Sequence, residues 1–164
     1  MKTIFKLWMG AAALAGACAQ PLALAQSVAI TAIVEHPALD AVRDGVKKGL
    51  ADAGYTEAGG LRWQYQSAQG NTATAGQIAR QFVGARPDVI VAIATPSAQA
   101  VVAATKTIPV VYSAVTDPVA AQLVPSLAAS NTNVTGVSDT LPLQDQIKLI
   151  QRVVPNAKRV GVVY

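Results

Sequence analysis

Cysteine is almost missing from this chain of 164 residues: Cys18 is the single one, beside two methionines and one histidine. Cys18, Met1, Met9, Phe5 and Trp8 all fall within residues 1–25, so a chain starting at Gln26 has neither cysteine nor methionine. Disulfides, thiolate catalysis and cysteine-containing zinc sites are thereby excluded for that part, even where an oxidising compartment would permit disulfides. Its stability must come from its core. Charge is also scarce, at 13% of residues, and the formal net charge of +4 falls to +2 once Lys2 and Lys6 are set aside. The remaining cations are scattered, with Lys47-Lys48 and Lys158-Arg159 the only adjacent pairs. Binding a phosphate backbone calls for cations clustered on one face, so nucleic acid is not an expected partner. No Gly-x-Gly-x-x-Gly follows the first strand pattern and no Gly-Lys-Ser or Gly-Lys-Thr occurs, which argues against a nucleotide cofactor. One imidazole near Glu35 and Asp40 lacks the histidine pair of a zinc site, so no metal is expected either.

What the first 25 residues do contain is an order of charge and hydropathy. Lys2 and Lys6 make a basic start, residues 7–17 are almost purely apolar, and Ala23-Leu24-Ala25 forms a small-x-small site ahead of Gln26. This is the pattern of a secretory signal peptide cleaved between Ala25 and Gln26. A membrane-spanning helix needs roughly 20 apolar residues, and Gln20 with Pro21 interrupts this run. Lipoprotein processing at Cys18 is the competing reading. It fits less well, because Ala15 stands three before the cysteine where a larger aliphatic residue is usual.

From Ser27 onward, short β-branched runs alternate with segments of helical period, the mark of a parallel α/β sheet in one domain over residues 26–164. Residues 28–34 read as a strand buried on both faces. A helix over 38–53 carries Leu39, Val42, Val46 and Leu50 on one stripe and stops at Gly54. In 61–66, Leu61, Trp63 and Tyr65 alternate with Arg62, Gln64 and Gln66, which suits an edge strand. A helix from Asn71 or Thr72 to Gly84 turns Ile78, Ala79, Phe82 and Val83 inward, and 89–94 is another doubly buried strand. Thr95 can cap the next helix, which runs to about Thr105 with Pro96 in its first position. Residues 110–113 form a fourth strand, Asp117-Pro118 opens a short helix by the same logic, and 134–137 is a short strand. A last helix uses Leu143, Ile147, Ile150 and Val153 as its inner stripe, and 159–164 is a final strand. An edge strand second in sequence implies the doubly wound order 2-1-3-4-5 with helices on both faces.

Ligands of such sheets sit outside the carboxyl ends of the strands, where helix N-termini direct free N–H groups. The loops there are 35–38, 67–71, 94–97, 113–117 and 136–139, rich in hydroxyls and carboxylates. Thr95 and Ser97 either form an anion cradle suited to a carboxylate, or simply cap and fill the first helical turn. Asp117 either caps a helix or accepts hydrogen bonds from an ammonium group. His36, directly after the first strand, is a polar ligand contact, a surface residue, or the base of a hydrolase using Ser97 or Ser67. The hydrolase reading lacks an oxyanion donor pair and any Gly-x-Ser-x-Gly turn. Trp63 and Phe82 belong to inward stripes. Tyr65, Tyr112 and Tyr164 fall toward strand ends, where each faces a ligand or covers the rim of the core.

Several segments in register carry a resemblance. They are Val28-Ala29-Ile30-Thr31 with Glu35-His36-Pro37-Ala38-Leu39-Asp40, Pro87-Asp88-Val89-Ile90-Val91 with Ala94-Thr95-Pro96-Ser97-Ala98-Gln99, and Pro109-Val110-Val111 with Val115-Thr116-Asp117-Pro118-Val119. Asn133-Val134-Thr135-Gly136-Val137-Ser138 and Pro155-Asn156-Ala157-Lys158-Arg159-Val160-Gly161 extend it. Together they resemble the ABC transporter substrate-binding family typified by tryptophan and tyrosine binders. The resemblance implies a periplasmic, non-enzymatic receptor of the periplasmic binding protein type 1 fold, without cofactor. Its two α/β lobes close on a small solute such as an amino acid and present it to an ABC permease in the inner membrane. It places His36, Thr95, Ser97, Asp117 and Ser138 on the inner face of the first lobe, with Thr95 and Ser97 for a carboxylate and Asp117 for an ammonium. The family continues into a second lobe, and this sequence ends at Tyr164 where that crossover is expected, so residues 26–164 read as the first lobe alone. A hydrolase using His36 with a serine, and a sensor domain serving a membrane signalling protein, remain the alternatives.

Overall fold

The computed structural model describes residues 26–128 and 131–161. Five strands, β1 (Ser27–Ala32), β2 (Arg62–Ser67), β3 (Val89–Ile93), β4 (Val110–Val115) and β5 (Val134–Ser138), form one sheet in the order β2-β1-β3-β4-β5. Every pairing is parallel. Helices α1 (Pro37–Asp52), α2 (Thr72–Ala85) and α3 (Thr95–Ala104) cover the sheet, and α4 (Leu143–Val153) follows β5. The expected fold class and strand order are those observed. The segment read as a signal peptide, with Ala25 and Cys18, lies outside the described residues.

Alternation along β1 divides the interior in two. Val28, Ile30 and Ala32 point to one face with Val91 and Ile93, where Leu39, Val42, Val46 and Leu50 of α1 pack against them. Ala29 points to the other, into a larger core with Ile78, Ala79 and Phe82 of α2 and Val101 of α3. Being covered on both faces, β1 and β3 have no place for a charge, which is why they read as near-continuous apolar runs. On the edge strand β2, Arg62 and Gln64 are exposed while Trp63 and Tyr65 are half-buried against α1. The Arg43 guanidinium lies 5.1 Å from the Tyr65 ring centre and the Lys47 ammonium 5.4 Å from that of Trp63. Long cationic stems thus shield the aromatic surface that the edge leaves open.

Several boundaries differ from the sequence reading. Strand β1 ends at Ala32, two residues early, because Ile33 and Val34 bend away to reach α1. Helix α1 starts at Pro37 with His36 as its N-cap, and ends as expected at a left-handed Gly54 (φ 89°). There Tyr55 N–H donates to Leu50 O (2.8 Å) and Gly54 N–H to Ala51 O (2.9 Å), a Schellman closure. Helix α2 passes Gly84 to Ala85 and is closed by left-handed Arg86. Strand β4 runs on to Val115: Tyr112 pairs with Gly136 but Val115 with Ser138, so β4 carries one extra residue, and Ala114 takes φ 53° in the bulge. No helix follows Asp117-Pro118. Asp117 Oδ1 does accept from Val119 and Ala120 N–H (3.0 and 2.9 Å), but the segment stays a turn, with Gln122 left-handed at φ 59°.

The last helix forms over the expected residues yet packs on neither core. It buries none of them, leaving Leu143 65% and Val153 73% exposed. Residues 159–161 form no strand, and 162–164, including Tyr164, lie outside the described residues. No helix among the described residues is long and apolar enough to cross a membrane.

Two close fits hold the sheet. A Cβ built on Gly136 would lie 2.2 Å from Tyr112 O and 2.5 Å from Tyr112 Cγ, so β5 can lie against Tyr112 only because residue 136 has no side chain. Replacing Gly136 with alanine is expected to destabilise the fold by about 1–3 kcal/mol, read as a lower urea midpoint at unchanged slope. At the opposite end of the sheet, Asp88 Oδ2 accepts from both Ser27 N–H (2.7 Å) and Ser27 Oγ (2.8 Å), while Asp88 N–H donates to Ser27 O (3.0 Å). The Ser27 hydroxyl, then its N–H, holds the Asp88 carboxyl below the usual carboxylate range. A carboxyl depressed in the folded state stabilises above its unfolded pKa and loses that contribution as the pH falls through the folded value. The melting-temperature gap between wild type and Asp88→Asn should therefore be full at neutral pH and shrink on acidification below the ordinary carboxylate range.

Candidate functional site

Parallel register brings the carboxyl ends of all the strands to one edge. Ala32 pairs with Ser67 and Ile93, Ile93 with Ser113, and Val115 with Ser138. The loops leaving that edge are tied to their neighbours: Gly70 N–H donates to Ile33 O (2.7 Å), Ala94 N–H to Ser113 O (2.9 Å), and Asp139 N–H to Val115 O (3.0 Å). Thr140 Oγ1 donates to Thr116 O (2.9 Å). His36, Thr95, Ser97, Asp117 and Ser138 thus all stand at one edge, following β1, β3, β4 and ending β5. Among the described residues no hydrogen bond joins any two of them.

The three helices that begin here are not alike. In α1, His36 Nδ1 accepts from Ala38 N–H (3.3 Å), which leaves the proton of the neutral ring on Nε2 as an outward donor. In α2, Asn71 Oδ1 accepts from Ala73 and Thr74 N–H (2.8 and 3.0 Å). Helix α3 has no side-chain cap. The expectation that Thr95 caps it is corrected: the cap position is Ala94, Thr95 is the first helical residue and Pro96 the second. Because Ala94 remains hydrogen-bonded to β4 and the helix starts at once, a side chain without an acceptor occupies the capping position. Pro96 brings no N–H, so the N–H groups of Thr95 and Ser97 carry the positive end of the helix dipole without a side-chain partner.

The surroundings of the other candidates differ as well. Thr95 is half-buried, whereas Ser97 is fully enclosed and its Oγ has no partner. Its hydroxyl is therefore not presented at the open edge. Thr31, one residue before the end of β1, is enclosed in the same way with an unpartnered Oγ1. Sequence reasoning passed over Thr31, although a hydroxyl in the run Val28-Ala29-Ile30-Thr31-Ala32 was a visible exception. Asp117 is exposed; both backbone bonds fall on Oδ1, leaving Oδ2 open. Of the tyrosines, Tyr112 is buried under Gly136 and Tyr65 lies beneath Arg43. Among the described residues no group of three or more His, Cys, Asp or Glu side chains could hold a metal. A cleft between α2 and α3 bordered by Gly76, Arg80 and Pro96 (about 560 Å³) and another beside β5 bordered by Tyr112 and Gly136 (about 550 Å³) are lined by none of the five.

Strain is concentrated at this edge. Ala94 (φ 72°, ψ 154°), in a region essentially confined to glycine, and Ala114 (φ 53°) are positive-φ alanines at the ends of neighbouring strands. Such backbone costs of order 1–3 kcal/mol per residue and persists only where the surroundings impose it.

The family model described as ABC transporter substrate binding protein matches residues 27–164. The chain belongs to that family. It is 43% identical over 139 residues to a tyrosine-binding protein of Clostridioides difficile (strain R20291), a match covering 85% of this chain and 40% of the relative. A conserved domain protein of Vibrio cholerae O1 biovar El Tor shares 56% identity with a TM-score of 0.83, over 85% of this chain and 47% of the other. An ABC domain of Streptococcus pneumoniae in complex with L-Trp shares 37% identity with a TM-score of 0.76, over 80% and 44%. The chain thus spans less than half the length of each of these relatives.

If the strain at Ala94 serves ligand geometry and not stability, glycine there should relieve it. Ala94→Gly is expected to stabilise the fold by about 1 kcal/mol in urea denaturation, since glycine adopts positive φ without penalty. Unchanged or reduced stability would show that the conformation is not strained.

Proposed function

We propose that the chain forms the first lobe, and begins the second, of an extracytoplasmic receptor of an ABC importer, and that its solute is an amino acid held at the carboxyl edge of the sheet. The observation that carries this reading is the uncapped start of α3 beside Asp117, an anion-seeking and a cation-seeking group on neighbouring strand ends. An amino acid presents both charges on one carbon. Its carboxylate is bound by the Thr95 and Ser97 N–H groups with the Thr95 hydroxyl, and its ammonium by Asp117 Oδ2. Ser97 Oγ contributes only if closure on the ligand reorients it. The Nε2 of His36 and the hydroxyl of Ser138 border the site at the ends of β1 and β5. That relatives bind tyrosine and L-Trp supports an amino acid as the solute class.

The second half of the clamp lies beyond this lobe. Helix α4 shows an apolar stripe that neither core accepts, and relatives run to more than twice the matched length. On this reading α4 and the apolar residues after it are the first elements of a second lobe. The chain crosses between lobes at 139–142, some way before Tyr164, and Asp139 and Thr140 anchor the near end of the hinge. Closure of two lobes excludes water from the solute, which a single open edge cannot do. Export is supported by the basic, apolar and small-residue order of residues 1–25, with cleavage before Gln26.

Thermal-shift titration of the protein carrying both lobes with L-Tyr, L-Trp and smaller amino acids tests the reading, because a ligand of the native state raises its melting temperature. Asp117→Asn keeps an oxygen for Val119 and Ala120 but removes the charge. It should weaken binding roughly 10- to 100-fold, as expected for losing a charged hydrogen bond, without lowering the melting point of the free protein. Residues 26–164 alone should bind weakly or not at all. Failure of every amino acid to stabilise the two-lobed protein would sink the proposal.

A further inference from the structure

We propose that Gln26 becomes the amino terminus of the exported protein and then closes into a pyroglutamyl lactam, giving the receptor a neutral, blocked end. This rests on the cleavage reading above, and the structure supplies the rest. Everything from the Gln26 carbonyl onward is held. That carbonyl accepts from Arg62 N–H (2.7 Å), the first rung between β1 and β2, and the next N–H, of Ser27, is bound to Asp88 Oδ2 (2.7 Å). Nothing among the described residues holds the other side of Gln26: the residue is exposed and its amide side chain has no partner. It borders an open cavity of about 310 Å³ with Tyr55, Thr56 and Leu61, room in which the side chain can fold back over its own amine.

The reaction needs no other reactant. The α-amine nitrogen attacks Cδ of the side-chain amide, an N–Cδ bond forms, the Cδ–Nε2 bond breaks, and one amine proton leaves with Nε2 as ammonia. Ring closure uses only atoms that the fold leaves free, so neither the Arg62 rung nor the Ser27–Asp88 bonds are disturbed. It also removes an ammonium from an edge that already carries Arg62. Most directly, it protects those two attachments. An aminopeptidase removing Gln26 would take away the acceptor of Arg62 N–H, and the next cycle would take Ser27 with all of its bonds to Asp88.

The test is the intact mass of the full-length protein recovered after export, with tandem mass spectrometry of its N-terminal peptide and Edman sequencing. A start at Gln26 lighter by one ammonia, blocked to Edman chemistry until pyroglutamyl peptidase is added, is the expected result. The Gln26→Ala variant should then sequence freely from its first residue, with no peptidase treatment. A free, unmodified glutamine at residue 26 overturns the lactam while leaving the cleavage reading intact. A start elsewhere, including a lipidated Cys18, overturns both, and the two failures are told apart by mass alone.

Discussion

The double burial of β1 is the constraint from which the rest of this lobe follows. A strand with partners on both sides and helices over both faces can carry no charge, and Val28, Ile30 and Ala32 face one layer while Ala29 and Thr31 face the other. Because β2 lies on one side of it and β3 on the other, successive right-handed crossovers must pass over opposite faces of the sheet. The loops after β1 and β3 then part from each other at the carboxyl edge. The opening between them is set by topology before any polar residue is chosen, and His36 and Thr95 stand on its two banks.

Local stability is given up at that opening. Helices α1 and α2 satisfy their first N–H groups with His36 and Asn71, whereas α3 starts from a strained alanine that can satisfy none. Three buried hydroxyls, Thr31 Oγ1, Tyr65 Oη and Ser97 Oγ, lack partners on the elements that meet at the same strand ends. Each such departure costs stability, and their collection at one edge contrasts with the paired termini elsewhere. At the amino edge the Ser27–Asp88 exchange leaves the corresponding strand starts fully bonded.

Much of this was legible in the residues. The near-continuous apolar runs of β1 and β3 identified central strands, the alternation through Trp63 and Tyr65 marked β2 as an edge, and Gly54 announced the end of α1. Those signals are local and periodic. What escaped was set by contacts distant in sequence. Thr95 looked like a cap because hydroxyl followed by proline is an ordinary helix start, but the bond from Ala94 to β4 moved the boundary back by one residue. The bulge at Ala114 has no local signature, since it exists only in the pairing with β5. His36 read as a polar ligand contact or a surface residue, yet one of its ring nitrogens is occupied by the start of α1. The stripe of α4 was seen correctly, but periodicity says only that a face is apolar, not what lies against it.

The position of α4 bears on the order in which the polypeptide takes shape. All five strands and both packed layers are drawn from residues up to Ser138, so a chain delivered amino end first has every part of the lobe before α4 is made. Collapse of the lobe does not wait for what comes later. The helix then emerges with an apolar face that the sheet and its packed helices do not receive, and while that face is uncovered this is the segment most open to self-association or to capture by a chaperone.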